Sequence, residues 1–332
     1  MSTDAEIVVA VTGVGAIIGQ GIVRSLRASG RTIHVVGIDR SARSPGPHVV
    51  DAFEQKPDVS EDSPEYQAYW DSLIQRHNIQ IVLPALEVDM VYLDKNRDWF
   101  ESRGVRLALN TPDLIRITAN KWEFGEVLAD MGYPVIPSIR PDTWQQAIEK
   151  LGAPPLLLKP LQGNGSRGII KLEAEQDFEY WRTKASGGWM LQRIVGKPNE
   201  EYTVGIFGLG NGHFIGPLIF RRRLSLAGNT QEAKVVLDHP ILEVAVKKLC
   251  KHFSPIGPTN LQFRLEGDIA YLLEINPRFS SSNSLRTAFG YNEAIMAIDY
   301  YLFDREPMMP TLKQGQAWRY YEDFVIYASY SV

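Results

Sequence analysis

Asn260–Ser282, NLQFRLEGDIAYLLEINPRFSSS, holds two β-type runs, LQFRL and AYLLEIN, in which apolar and polar residues alternate on either side of a turn at Gly267-Asp268. Successive strand residues point to opposite faces, which places Glu274 and Asn276 on one side and Leu273 and Ile275 on the other. Gln262 joins Glu274 if the connecting loop has an odd length, as Glu266-Gly267-Asp268 would; a slip of one residue turns it away. In that register one sheet face offers a carboxylate and two amide oxygens, with Arg278 close behind. Oxygen donors of this kind suit a hard divalent cation, and Mg2+ is commonly held by a carboxylate or two together with substrate phosphates. Taken alone, an E-x-N pair also fits the polar outer face of an ordinary hairpin.

Q-F followed by E-I-N-P-R closely resembles the metal-binding signature of ATP-grasp enzymes, particularly the ATP-binding halves of carbamoyl phosphate synthetase. The resemblance implies that Gln262, Glu274 and Asn276 hold Mg2+ (or Mn2+) on ATP, and that Arg278 faces the transferred phosphoryl group.

The stretch LLLKPLQGNGSRGII sets Lys159 within an apolar strand, where an ammonium is costly unless it meets an anion. Beyond it runs a glycine-rich loop, Gly163–Gly168, whose backbone amides can close over phosphates with no Cβ in the way. The lysine precedes the glycines, so this is not a Walker loop. A plain hairpin around Asn164-Gly165 is the alternative. K-P-x-x-G-x-G-S-x-G resembles the flexible ATP-grasp lid, which implies phosphate contacts from Lys159, Gly163, Gly165, Ser166 and Gly168. By the same resemblance, Lys121 at the start of the helix NKWEFGEVLAD is the other phosphate lysine. Gln192, Arg193 and Val195 then form the hinge that holds adenine, and Glu201 binds the ribose hydroxyls. Two departures stand out: Arg193 replaces the usual acidic hinge residue, and the link from Gly196 to Glu201 is longer than usual, leaving Glu200 as a rival.

Three consecutive arginines in IFRRRL offer guanidinium forks for carboxylate or phosphate. Arg221, Arg223 and, on the next strand, Lys234 are candidates for substrate recognition, with a solvated strand end as the alternative. Ser281 and Glu87, the latter just past the apolar run QIVLPAL, complete the candidate substrate residues. At the N-terminus, EIVVAVT, a turn with Gly13, Gly15 and Gly19, a helix, and TIHVVGID ending at Asp39 trace the outline of a dinucleotide-binding unit. Its glycine spacing departs from G-x-G-x-x-G, and a tight turn that needs glycine for backbone reasons is the other reading.

With 332 residues and 44% hydrophobic content, the chain can bury cores for two or three domains. A net charge of -4 gives no pull towards nucleic acid or anionic membrane. The single Cys250, on a helical apolar pattern, excludes an internal disulfide framework and reads as a structural thiol. No run is long and apolar enough to span a membrane, and MSTDAEIVVA lacks a basic region, so a cytoplasmic location is expected. The expected α/β architecture is a Rossmann-like domain over 1–110, a small ATP-grasp lobe over 111–191, and a large lobe with the metal hairpin over 192–332. The tail ends in a strand-like run, DFVIYASY.

This architecture implies an ADP-forming, Mg2+-dependent ligation of a small carboxylate to an amine through an acyl phosphate, with a homodimer compatible. A non-catalytic ATP sensor on the same fold and an NAD(P)-dependent enzyme built on the N-terminal glycine turn are the alternatives.

Overall fold

A computed structural model describes residues 6–163, 168–185, 188–197, 200–225, 228–320 and 322–327. The first unit alternates β1 (Ile7–Thr12), α1 (Ile17–Arg27), β2 (Ile33–Asp39), β3 (Ala52–Gln55), α2 (Pro64–His77) and β4 (Ile81–Leu83). It continues through α3 (Glu87–Lys95), α4 (Arg97–Glu101) and β5 (Arg106–Leu107). The strands lie parallel in the order β3-β2-β1-β4-β5. Helices cover both faces, which is why β1 and β2 read as nearly unbroken apolar runs.

After β4 the chain forms two helices joined at Asn96, and the first begins at Glu87. Glu87 therefore sits in a helical first turn instead of in a loop. At the glycine turn, Gly15 N–H donates to Asp39 Oδ2 at 2.9 Å. Gly46 packs on the same turn so closely that a Cβ there would lie 2.8 Å from the Val14 carbonyl carbon. The turn's acid and its open side are thus both used by the chain itself, which accounts for the glycines without a dinucleotide.

Helices α5 (Pro112–Thr118) and α6 (Lys121–Asp130) lead into an antiparallel sheet. They begin well: Thr111 Oγ1 accepts from Leu114 N, and Asn120 Oδ1 from Trp122 N and Glu123 N. The small-lobe sheet has the order β6-β9-β7-β8, with β6 (Ser138–Ile139), β7 (Leu156–Pro160), β8 (Ile170–Leu172) and β9 (Trp189–Arg193). Helices α7 (Trp144–Leu151) and α8 (Glu175–Arg182) cover one face, where Leu156, Leu158, Leu191 and Phe178 share a core.

The large lobe carries β10 (Glu201–Leu209), β11 (Phe214–Leu224), β12 (Thr230–Val236), α9 (Pro240–Phe253), β13 (Ile256–Glu266) and β14 (Ile269–Asn276). Two short helices, α10 (Asn283–Ala288) and α11 (Glu293–Ala297), and an edge strand β15 (Gln316–Trp318) follow. The sheet order is β14-β13-β10-β11-β12-β15. One face buries Val204, Ile206, Leu261 and Ile275 against Leu242, Val246, Leu249 and Cys250 of α9. On the opposite face, Phe207, Leu218 and Phe220 enter one core with Ile22, Leu26 and Leu83 of the first unit. The expected strand-like run near the C-terminus forms no strand where described and is exposed there, with Phe324 and Tyr327 open to solvent; the edge strand forms earlier instead.

A buried ion pair fixes α10 to this second face. Arg286 and Glu293 are 0% and 1% exposed and meet at 2.8 Å, and Arg286 also donates to Asn260 and Thr203. Gly205 makes room for it, since a Cβ there would fall 2.5 Å from the guanidinium carbon.

Candidate active site

The hairpin that organises the site does not close as its sequence suggests. Glu266 pairs with Ile269, so the turn is the two-residue Gly267-Asp268, an even loop that would set Gln262 opposite Leu273. A bulge restores the functional register: Phe263 faces Leu272, whereas Gln262 faces Glu274, with Leu273 as the extra residue. Leu273 is accordingly not on the side of Ile275. Ile275 enters the α9 core, while Leu273 packs with Ile136, Val195 and Tyr271 in a small apolar cluster between the lobes.

Gln262, Glu274 and Asn276 come together as one hydrogen-bonded set. Glu274 Oε1 accepts from Gln262 Nε2 at 2.5 Å and from Asn276 Nδ2 at 2.8 Å. The amide oxygens are held from outside, Gln262 Oε1 by Arg222 Nη2 at 2.7 Å and Asn276 Oδ1 by Arg278 Nη2 at 3.2 Å. A half-turn of each amide swaps nitrogen for oxygen and gives three oxygen donors on one face. Among the described residues no cluster of three His, Cys, Asp or Glu offers a softer or more acidic site. A single carboxylate with amide oxygens fits Mg2+ that arrives with phosphate ligands of its own.

Facing this set are the cations. Lys159 Nζ donates to Gln192 Oε1 at 2.5 Å, and Gln192 Nε2 in turn donates to Ser138 Oγ at 2.8 Å, so Gln192 serves to aim the lysine. Burial pulls Lys159 down to about 8, with the Glu274 carboxylate opposing. Lys121 is also lowered by burial, against the pull of Glu274 and Glu87. Its ammonium donates to the Gly163 carbonyl and its N–H to Leu161 O at 2.9 Å, which ties the start of α6 to the glycine loop. Gly163 and Gly168 both adopt positive φ, 102° and 73°, at the two ends of that loop. Gly165 and Ser166 lie outside the described residues. Arg278 is lowered by burial, with the charges of Glu87 on the first unit and then Glu274 opposing. Glu87 also borders an open cavity of about 380 Å³ beside Val88, Val91 and Tyr92.

Glu201 is buried on the same sheet face and pairs with Arg222 at 2.6 Å and Arg264 at 3.5 Å. Glu200 turns outward to Arg221 at 3.9 Å, which favours Glu201 as the carboxylate of the site. Arg193 bonds Glu266 at 2.8 Å, and Val195 lines the apolar cluster with Leu273.

Arg221, Arg223 and Lys234 lie on the outer side of their strands. Leu218 and Phe220 face the core shared with the first unit, so Arg222 is the inward arginine and its neighbours are exposed on the other face. Lys234 pairs across from Arg221 and shares that outer face. Arg222 was the missed residue, and its signal was present in the alternation of LIFRR. It donates through Nη2 to Glu201 and Gln262 and through Nη1 to Thr230 Oγ1 at 3.1 Å. Ser281 is half-buried, and its carbonyl accepts from Arg319.

Residues 189–324 match a family described as "ATP-grasp in the biosynthetic pathway with Ter operon", and residues 9–108 match "PylC-like, N-terminal domain". A carbamoyl phosphate synthase large chain from Thermomicrobium roseum is 29% identical over 213 residues, which is 58% of this chain and 20% of that one. The chain thus spans about a fifth of the length of that relative. Among solved structures, N5-carboxyaminoimidazole synthetase from Staphylococcus aureus, complexed with ADP, superposes with a TM-score of 0.72 at 17% identity, covering 92% of this chain and 80% of that one. The biotin carboxylase domain dimer of Hydrogenobacter thermophilus 2-oxoglutarate carboxylase, in complex with MgADP, gives 0.70 at 16% identity, covering 93% and 73%. At these identities the likeness concerns the fold.

Proposed function

We propose that this chain, which matches an ATP-grasp family over residues 189–324 and is similar to the large chain of carbamoyl phosphate synthase, joins a small carboxylate to an amine, converting ATP to ADP and phosphate. The observation that supports this reading is that Lys159, on the small lobe, bonds only the neutral amide of Gln192 among the described residues, while burial lowers both Lys159 and Lys121 and the Glu274 carboxylate opposes that shift in each. A polyphosphate would supply an anionic partner.

Lys159 and Lys121 would steady the β- and γ-phosphates, so that a carboxylate oxygen attacks the γ-phosphorus in line as the bond to ADP breaks. Arg278 would sit beside the charge that develops on the moving phosphoryl group. Mg2+ held by Gln262, Glu274 and Asn276 would neutralise phosphate charge. The acyl phosphate then loses phosphate when the amine attacks its carbonyl carbon, and the amine's proton passes to solvent or a nearby base. Glu87, which borders the cavity of the first unit, would receive the amine as a cation and take one of its protons, freeing the lone pair for attack before the second proton leaves. The glycine loop, tied to Lys121 at Gly163, would exclude water from the intermediate.

The test is ADP release from Mg-ATP with pooled amino acids and small carboxylates, run beside Glu274→Ala. Substrate-stimulated release lost in the variant supports the ligase. Tight ATP binding with no stimulated turnover from any pool favours a non-catalytic ATP-binding role, and absence of ATP binding overturns both.

A further inference from the structure

Along the site face of β13 every polar side chain but one has a close partner. Asn260 accepts from Thr203 at 2.6 Å, Gln262 from Arg222 at 2.7 Å, and Glu266 from Arg193 at 2.8 Å. Arg264, midway between Gln262 and Glu266, reaches only Glu201 Oε2, at 3.5 Å, and its Nε is buried with no acceptor among the described residues. The side chain is 25% exposed, so a ligand can approach it from one side.

Cross-strand pairing explains the shortfall. Glu201 stands between Arg222 of β11 and Arg264 of β13, because Glu201 pairs with Arg222 and Tyr202 with Phe263. Arg222 is the more buried of the two arginines and holds the carboxylate through both Nε and Nη2, with Nη1 on Thr230. One carboxylate between two guanidiniums leaves a net positive charge, and the weakly bonded Arg264 carries it. Such a guanidinium gains from an anion that it can grip with both prongs.

Its place in the gap decides which anion that is. Across the sheet Arg264 pairs with Tyr271, which joins Ile136, Val195 and Leu273 in the apolar cluster between the lobes. Gly196, just past Val195, packs so closely on this strand that a Cβ there would lie 3.1 Å from Arg264 Cβ. In the other direction the next residue on the same face is Gln262, about 7 Å away along the strand, in the set with Glu274. Phe263 between them is fully buried in the α9 core, so Gln262 and Arg264 both face the gap. A nucleotide with its base in the apolar cluster and its terminal phosphates at Lys159 and the metal set passes over Arg264. The anionic group at that point of the molecule is the α-phosphate.

We propose that Arg264 anchors the α-phosphate of the nucleotide, exchanging its long contact with Glu201 for a bidentate one. The inference rests on the nucleotide reading above and adds to it a specificity-determining residue. It makes a nucleoside monophosphate a ligand of the same site.

Calorimetric competition against Mg-ADP tests this with adenosine and AMP, which differ only in the α-phosphate, on wild type and Arg264→Met. Methionine keeps an apolar stem at a partly exposed position, and adenosine affinity reports that the site still forms. AMP should bind the wild type about ten-fold more tightly than adenosine. In Arg264→Met it should fall to about the adenosine level, while adenosine changes by less than about two-fold. Equal weakening of both probes would assign Arg264 to holding Glu201 alone and overturn the proposal. So would AMP that binds the wild type no more tightly than adenosine, or that fails to compete below about 10 mM. If adenosine is too weak to compete, 2′-deoxy-AMP replaces it: an equal loss for AMP and its deoxy form supports the phosphate contact, whereas a loss confined to AMP points to Glu201 at the ribose and overturns it. Mg-ADP that does not bind the wild type sinks the nucleotide reading itself, whereas Mg-ADP that binds with no advantage for AMP sinks only this inference.

Discussion

Nucleotide binding should draw a proton onto Lys159. Burial holds its ammonium at about 8 against an ordinary value of 10.5, and among the described residues its one hydrogen bond is to a neutral amide, Gln192. The difference between those values, about 2.5, corresponds to about 3 kcal/mol against the charged form. For the folded chain alone the sign is that of a lowered pKa. The contribution to stability is present above 10.5 and is lost as pH falls through about 8. A polyphosphate reverses the preference, because it favours the ammonium. If it restores the ordinary value, affinity is flat below pH 8 and falls up to about two orders of magnitude as pH rises towards 10.5. Near pH 9 each nucleotide should take up close to one proton.

Titration calorimetry with Mg-ADP in two buffers of different ionisation heat counts that proton directly. Lys121 is lowered as well and contributes its share, so the comparison with Lys159→Met isolates the residue in question. The variant should bind more weakly at pH 7, by about ten-fold or more, and take up much less proton at pH 9. Equal uptake by the two proteins would show that Lys159 does not meet the phosphates, and the nucleotide reading would lose its main support.

Arg222→Ala should weaken Mg-ADP binding by about ten-fold or more in the same titration, since it frees both Glu201 and Gln262, whereas Arg221→Ala and Arg223→Ala should change it little. Arg286→Met leaves Glu293 buried and unpaired, so urea unfolding should show a loss of about 3–5 kcal/mol, largely recovered in Arg286→Met combined with Glu293→Leu. Glu293 is raised by burial against the pull of Arg286, so its contribution to stability declines as pH rises past the ordinary carboxylate range; a Glu293→Gln variant should show a flatter profile of stability against pH there. Leu273→Arg should weaken nucleotide binding strongly by putting a charge among Ile136, Val195 and Tyr271, and should lower the unfolding midpoint less than a charge placed in the α9 core at Ile275.

The parts of this site that were legible in sequence are those fixed by near neighbours. Lys159 inside an apolar run, the glycines that follow it, and E-I-N-P-R each carry their meaning within a dozen residues, and the parallel α/β alternation is equally local. What failed to show depends on pairing between strands. The bulge at Leu273 compensates an even turn, and the same alternating pattern is compatible with either register until the partner strand is known. Arg222 was hidden by identical neighbours, although the burial phase of Leu218 and Phe220 singles it out once the strand is placed. The contact of Arg319 with the Ser281 carbonyl was hidden for a further reason: the residue just past β15 meets that loop only because the chain returns to the far edge of the sheet.

These pairings also decide how the site can respond to a ligand. Without nucleotide its polar groups satisfy one another: Glu274 takes both amides, Arg222 joins Gln262 to Glu201, and Lys121 holds the loop at Gly163. Each of these bonds must be exchanged for one to Mg-ATP, so the affinity measured is the surplus of new interactions over those given up. Lys159 stands apart, because its amide partner leaves the charge uncompensated. Most of the gain on binding should therefore concentrate at that lysine, where the proton count reads it, and less at the metal set, where one network replaces another. A Glu274→Gln variant sharpens the contrast. It keeps the amide contacts but removes the charge that acts on both lysines, so Lys159 should fall further below 8 and the proton uptake with Mg-ADP should extend to lower pH. Uptake confined to the wild-type range would mean that Glu274 and Lys159 do not share one gap.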